Sequence, residues 1–310
     1  EKKFRARQIF GWIYKGAESF DEMTNLSKEL RSKLDENAEL KKLRILNVQN
    51  SERDGTRKYL FGLGDGNSIE SVFMKYKFGN TACISSQAGC RMKCHFCASA
   101  INGLQRNLTS GEMADQIISI EKDTGEKISN IVVMGTGEPF DNYGNLSKFI
   151  KNIHEKDGLY LSLRSITVST CGLIPKMAEF AGDFPQVNLA VSLHAPNDTI
   201  RNKIMPISKR YPLEKLLAAS RRHIAETGRR LTFEYALIKG VNDSEQNAKE
   251  LAGRLRGINC HVNLIPLNQV TETGLRGTER AEAERFCEIL ESRGIQVTIR
   301  RELGGDIDAA

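Results

Sequence analysis

Four cysteines, Cys83, Cys90, Cys94 and Cys97, fall within fifteen residues of the stretch "ACISSQAGCRMKCHFCASA". The last three are spaced C-x3-C-x2-C, and the first stands seven residues upstream. Thiolates ligate soft metals and iron–sulfur clusters. A structural zinc ion wants four ligands, commonly two separated C-x2-C pairs. Here there is no second pair, and His95, inside the loop, is badly placed to be a fourth ligand. Three thiolates on a cubane iron–sulfur cluster leave one iron open to a substrate, and that chemistry suits the spacing best.

The elements that must hold this loop can be read from periodicity. From Thr81 onward, strand candidates at 81–86, 130–135, 164–169, 186–194, 231–238 and 260–264 alternate with helical segments near 110–123, 145–155, 173–181, 212–226, 243–256 and 279–293. Thr109 and Glu112 make a T-x-x-E capping box at the head of the first helix. Six such units predict a parallel sheet with helices outside, doubly wound or a barrel. Period-2 parity narrows the choice. In "QVNLAVSLH", Val187, Leu189, Val191 and Leu193 oppose Asn188, Ala190, Ser192 and His194; "RSITVS" and "LTFEYAL" divide the same way. A closed eight-stranded barrel fills its lumen with bulky branched side chains. A small, polar inner face suits a shorter, partly open barrel around a polar ligand.

Upstream, residues 1–40 read as short helices, with Ile9, Phe10, Trp12, Ile13 and Tyr14 clustered in one and Leu26, Leu30 and Leu34 at helical spacing in the next. Residues 41–77 read as a short β extension carrying "RKYLFGL" and "IESVFMKY". Residues 78–310 then form the main α/β unit.

Composition sets the class. The 310 residues are 40% apolar and 27% charged, as in a soluble globular protein. No apolar run approaches a membrane span, and nothing at Glu1 resembles a signal peptide. Seven cysteines, mostly clustered and odd in number, point to a reducing cytoplasm rather than a secreted disulfide framework. Net charge is +6, with nine Lys/Arg against two acids between Arg201 and Arg230. Such an excess serves phosphate contacts or a solvated helix face equally well.

C-x3-C-x2-C after the first strand of such a series, with Phe96 before the last cysteine, resembles the signature of radical S-adenosylmethionine (SAM) enzymes. "MGTGEP", Met134 to Pro139, one βα unit later, is similar to their glycine-rich GGEP-type motif. The resemblance implies a partial (β/α)6 radical SAM barrel with an open iron that chelates SAM. The protein would supply position and a dry cavity.

Narrower still, "CISSQAGCRMKCHFCASAINGLQRNLTSGE", "VVMGTGEPFDN", "SLHAPND", "VNLIPLN" and "RELGGDIDAA" together resemble the RlmN family, over essentially the whole chain. That family methylates carbon 2 of adenosine in 23S rRNA and tRNA. The resemblance implies a 4Fe–4S cluster on Cys90, Cys94 and Cys97. It implies SAM contacts from Gly137, Glu138, Ser169, Ser192, Leu193, His194 and Asn268. Glu70 falls where the family has its proton acceptor. Cys83 falls on a second, non-cluster cysteine that resolves a protein–RNA crosslink by forming a disulfide. The methyl-carrying cysteine of the family follows "GDIDAA" at once, just after Ala310 in this sequence. Thr136 and Cys171 depart from the family's common residues, methionine and serine; Cys171, Cys260 and Cys287 read as small core residues. A reducing donor such as flavodoxin or ferredoxin, a monomeric state and no membrane complete the expectation. The alternatives are the sibling Cfr family, which methylates carbon 8, and a noncatalytic iron–sulfur RNA-binding protein. "GTGEP" and "SLHAPND" fall on the RlmN side, and keeping both Glu70 and Cys83 speaks against a noncatalytic role.

Overall fold

The computed structural model describes residues 2–267 and 274–309. Two helices open the chain, α1 (Lys3–Tyr14) and α2 (Lys28–Asn37). Ser27 caps α2 by accepting the Leu30 N–H at 3.3 Å. Phe20, Met23, Leu26 and Leu30 form a small core against Ile9, Trp12 and Ile13. Three antiparallel strands follow: β1 (Arg44–Asn50), β2 (Arg57–Gly62) and β3 (Ser68–Tyr76).

β4 (Gly79–Cys83) returns antiparallel to β3 and begins the parallel part of the sheet. A two-stranded hairpin, β5 (Gln87–Gly89) and β6 (Leu104–Asn107), brackets the cysteine loop. Then come α3 (Ser110–Thr124), β7 (Asn130–Val133), α4 (Tyr143–His154), β8 (Ile166–Thr170), α5 (Ile174–Asp183) and β9 (Asn188–Ser192). α6 (Asp198–Ile204), α7 (Leu213–Thr227), β10 (Leu231–Leu237), α8 (Glu245–Leu255), β11 (Cys260–Pro266), α9 (Arg280–Glu291) and β12 (Gln296–Ile299) complete the order. The sheet runs β1-β2-β3-β4-β7-β8-β9-β10-β11-β12, and every pairing from β4 through β12 is parallel.

All six expected strands are present. β12, a seventh parallel strand of four residues, is too short to announce itself by alternation, as are β5 and β6. The expected capping box is formed: Glu112 N–H donates to Thr109 Oγ1 at 3.2 Å, and Thr109 N–H to Glu112 Oε2 at 2.8 Å.

Parity decides what the sheet encloses. Ile131, Val133, Ile166, Val168, Leu189 and Val191 are buried in the core beneath the helices. Their alternates, Val132, Thr167, Ser169, Asn188, Ala190 and Ser192, form the other face. The C-terminal segment returns to the β extension: Gly304 N–H donates to Asp54 at 2.9 Å, and Leu303 packs with Val72 and Met74 of β3. The sheet therefore curls, and the chain past β12 meets the strands that precede β4. Among the described residues, no helix is long and apolar enough to cross a membrane.

Candidate active site

The cysteine loop is pinned at three points. Cys90 N–H donates to Gly103 O at 3.1 Å across the β5–β6 hairpin. Gly89 has φ +73°, and a Cβ there would sit 1.9 Å from Gly103 O, so only glycine fits. His95 N–H donates to Ile204 O at 2.9 Å, fastening the loop to the end of α6 while its ring stays exposed. Phe96 packs edge-on against His194, with centroids 4.8 Å apart.

Burial pushes the Cys90 thiol up to about 11, with a smaller push from Cys97. Burial also raises Cys94, and Cys97, Cys90 and Glu138 add to it. These mutual effects place the three sulfurs in one neighbourhood. Among the described residues no three His, Cys, Asp or Glu converge on a single ion. A cluster needs no such convergence, because each thiolate takes its own iron, and the three thiols fit that use.

The glycine-rich motif lies against the same loop. Gly135 N–H donates to Ile84 O at 3.0 Å, and Ser86 and Gln87 donate to Thr136 O. A Cβ on Gly137 (φ +107°) would lie 2.6 Å from Gln87 Cβ. Glu138 is buried, which raises its carboxyl; it accepts Phe140 N–H at 3.0 Å and Cys171 N–H at 2.7 Å. Its carboxylate thus ties the segment after β7 to the end of β8, while its own N–H donates to Gln87 Oε1 at 2.8 Å and its carbonyl accepts Asp141 N–H at 3.0 Å. Cys171 is accordingly part of this site's wall as well as a small buried residue; Cys260 is buried, and Cys287 is partly buried against the core.

Ser169 and Ser192 stand near the C-terminal ends of β8 and β9, on the face opposite the core. Leu193 is buried; its N–H donates to Glu234 O at 3.0 Å and its carbonyl accepts Arg201 Nε at 3.1 Å. It can address a ligand only by its main chain. His194 has φ +55°, and its Nδ1 accepts Ala236 N–H at 2.9 Å. Burial holds this imidazole down at about 3, so it is neutral with its proton on Nε2. Asn268 lies outside the described residues.

Cys83 ends β4 opposite Val72 of β3. Glu70, two residues along β3 from Val72, shares that face. Val72, Met74, Tyr76, Cys83 and Val132 pack with Leu303 and Ala309 of the C-terminal segment. Lys58 links the two halves, 3.3 Å from Glu70 Oε1 and donating to Asp308 O at 3.1 Å. Burial raises the Cys83 thiol; the charge of Arg300 and a main-chain N–H from Met134 oppose it. All seven cysteines are free thiols, so the disulfide expected of Cys83 is not a feature of this structure.

The basic run divides. Arg201 is fully buried, and Arg229 and Arg230 donate to Asn188 and Gln296, at the N-terminal ends of β9 and β12 and away from the mouth. Lys203, Lys209, Arg210, Lys215, Arg221 and Arg222 are the exposed cations that remain. The signals missed in sequence were Arg201, hidden among these cations, and Glu234, whose main chain orders Leu193 and His194.

Known proteins match this arrangement. The family model described as "Ribosomal RNA large subunit methyltransferase N-terminal domain" matches residues 1–40, and "Radical SAM superfamily" matches residues 84–252. Relatives named "Probable dual-specificity RNA methyltransferase RlmN" include one from Desulforamulus reducens, 53% identical over all of this chain and 89% of its own length. Another, from Lachnospira eligens, is 54% identical with the same coverage. A crystal structure of a radical SAM methyltransferase from Sphaerobacter thermophilus superposes with a TM-score of 0.94 at 47% identity, covering 99% of this chain and 91% of that one. SuiB of Streptococcus suis bound to S-adenosylmethionine shares the fold alone, with a TM-score of 0.53 at 16% identity over 73% of this chain and 52% of that one. With relatives named RlmN more than half identical over the whole of this chain, and a radical SAM methyltransferase structure superposing on nearly all of it, the chain belongs to the RlmN family of the radical SAM superfamily.

Proposed function

We propose that this chain, a radical SAM RNA methyltransferase by family, methylates carbon 2 of adenosine in 23S rRNA and tRNA through a methylcysteine intermediate. Residues 1–40 serve as the accessory helical module, 41–77 as the β extension and 78–310 as the catalytic barrel. Cys90, Cys94 and Cys97 hold a 4Fe–4S cluster. Gly137, Glu138, Ser169, Ser192, Leu193 and His194 line the SAM site; Asn268 joins them by motif alone. When bound, the cluster and SAM supply an electron and a carbon-centred radical.

The observation that carries the reading is the docking of the C-terminal segment. It brings Ala309 into one cluster with Cys83, while Lys58 holds both Glu70 and the Asp308 carbonyl. This docked segment is the one that, by the family's motif, carries the methyl-bearing cysteine. Glu70, exposed enough to meet RNA, takes the proton from the adenine ring. Cys83, fixed at the strand end, is the resolving thiol. The base must leave its stack to reach them. The enzyme works as a cytoplasmic monomer with a small reducing carrier, flavodoxin or ferredoxin, as donor.

RNA from cells lacking the protein should lose 2-methyladenosine from 23S rRNA and tRNA, read by mass spectrometry. Loss of 8-methyladenosine instead would favour carbon 8 chemistry. Replacing Cys90, Cys94 or Cys97 by Ala should abolish iron loading, whereas Cys83→Ala should load normally.

A further inference from the structure

Arg201 heads the large side chains wholly withdrawn from solvent among the described residues. Its guanidinium sits where two strand ends meet the cysteine loop. Nε donates to Leu193 O at 3.1 Å, and Nη2 donates to Cys171 O at 2.9 Å and to Ser192 O at 3.1 Å. Nη1 is buried without a partner. Carbonyls satisfy donors without neutralising the charge. Among the described residues no carboxylate forms an ion pair with Arg201. Asp198 is the acid it senses, and Asp198 Oδ1 already accepts Leu213 N–H at 2.8 Å.

An unpaired charge in a protein interior costs several kcal/mol unless something balances it. Cys94 and Cys171 pack in one apolar cluster with Ile204 of α6, the helix that carries Arg201, and their sulfurs and the neutral ring of His194 face the guanidinium electrostatically. Cys94 is an assigned cluster ligand. An iron–sulfur cluster held by three thiolates is net negative and gains a further negative charge on reduction. Such a cluster would supply the missing counter-charge.

We propose that Arg201 is a positioning residue for the cluster: its fork holds the ends of β8 and β9 together, and its unpaired charge beside Cys94 raises the cluster's reduction potential. This rests on the assignment of Cys90, Cys94 and Cys97 as ligands. A fixed cation in a low-dielectric site favours the added electron, with little screening by water. Lysine would keep the charge but could not span three carbonyls.

The test is an EPR-monitored redox titration of the anaerobically reconstituted protein. Arg201→Gln should shift the midpoint to a lower potential, and Arg201→Lys should stay near wild type. If Arg201→Gln does not fold, Arg201→citrulline removes the charge while keeping the shape and the Nε and Nη2 donors, and should show the same fall. An unchanged potential in a loaded neutral variant overturns the proposal. So does an equal fall in Arg201→Lys, which would mark packing rather than charge. Wild-type protein that takes up no iron or sulfide would sink the ligand assignment itself, and this shows before any variant is made.

Discussion

At the residue scale, the chemistry divides between groups that are fixed and one that is aimed. Cys83 is set by strand pairing, opposite Val72 and beside Val132. Glu70 is aimed, since its side chain is 54% exposed and steered by Lys58. With the Glu70 carboxylate half in solvent the pair contributes little to stability, so Lys58 matters more for direction than for folding. Lys58→Met should cut RNA methylation about tenfold while leaving iron content and SAM cleavage unchanged; a loss of all three together would show a structural role instead. Cys83→Ala in a protein that includes the carrier cysteine should trap a covalent protein–RNA adduct, visible as a nuclease-sensitive shift on a denaturing gel. Glu70→Gln should slow product release by about 10²-fold, the usual worth of a positioned base. Normal turnover in either variant would remove its assigned role.

At the element scale, helix packing against the sheet sets stability. α5 and α7 lie side by side, with Phe180 of α5 stacked on His223 of α7 at 6.5 Å. His223 is buried, and its Nδ1 has no partner. Burial holds the imidazole at about 4, below its ordinary 6.5. Above pH 6.5 both the folded and unfolded chains carry it neutral, and it does not affect stability. As pH falls from 6.5 towards 4, the unfolded chain binds a proton that the folded chain refuses, so stability drops. At pH 5 that loss is about 2 kcal/mol. His223→Phe keeps the stack and removes the titration. Urea unfolding at pH 7.5 and pH 5 should therefore show a smaller acid loss in the variant; equal losses would mean that the folded chain protonates His223 freely.

At the scale of the whole molecule, the C-terminal segment and the β extension close the structure on itself. Asp54 accepts Gly304 N–H, while Asp306 accepts Ser51 Oγ at 2.8 Å and Glu52 N–H at 3.1 Å. Burial pushes the Asp54 carboxyl up, but hydrogen bonds from Thr56, Gly304 and Ser51 outweigh it and hold the group at about 2. A depressed carboxyl stabilises the docked state above its unfolded value and stops doing so as pH falls through the folded one. The latch is therefore intact at neutral pH and lost between roughly pH 4 and 2. Asp54→Ala should raise hydrogen exchange across 303–309 at pH 7 and lower RNA methylation, with SAM cleavage retained. Unchanged protection would mean that Leu303 packing alone holds the segment.

The sequence by itself determined whatever depends on spacing along the chain. The three-thiol loop, the glycine-rich turn after the second barrel strand, the Thr109–Glu112 cap and the polar inner parity of β8 to β10 were all legible, because helix and strand periods are local. Longer-range contacts were not. Arg201 sits in a run of cations that reads as a solvated face, and only the meeting of α6 with β8 and β9 buries it. Arg229 and Arg230 look like phosphate ligands until strand direction puts them at the far end of the sheet. Lys58 reaches Asp308, and Asp54 reaches Gly304, across 250 residues each. No pattern in the chain announces these contacts, because they exist only once the sheet has curled and the segment after its last strand has returned to the β extension.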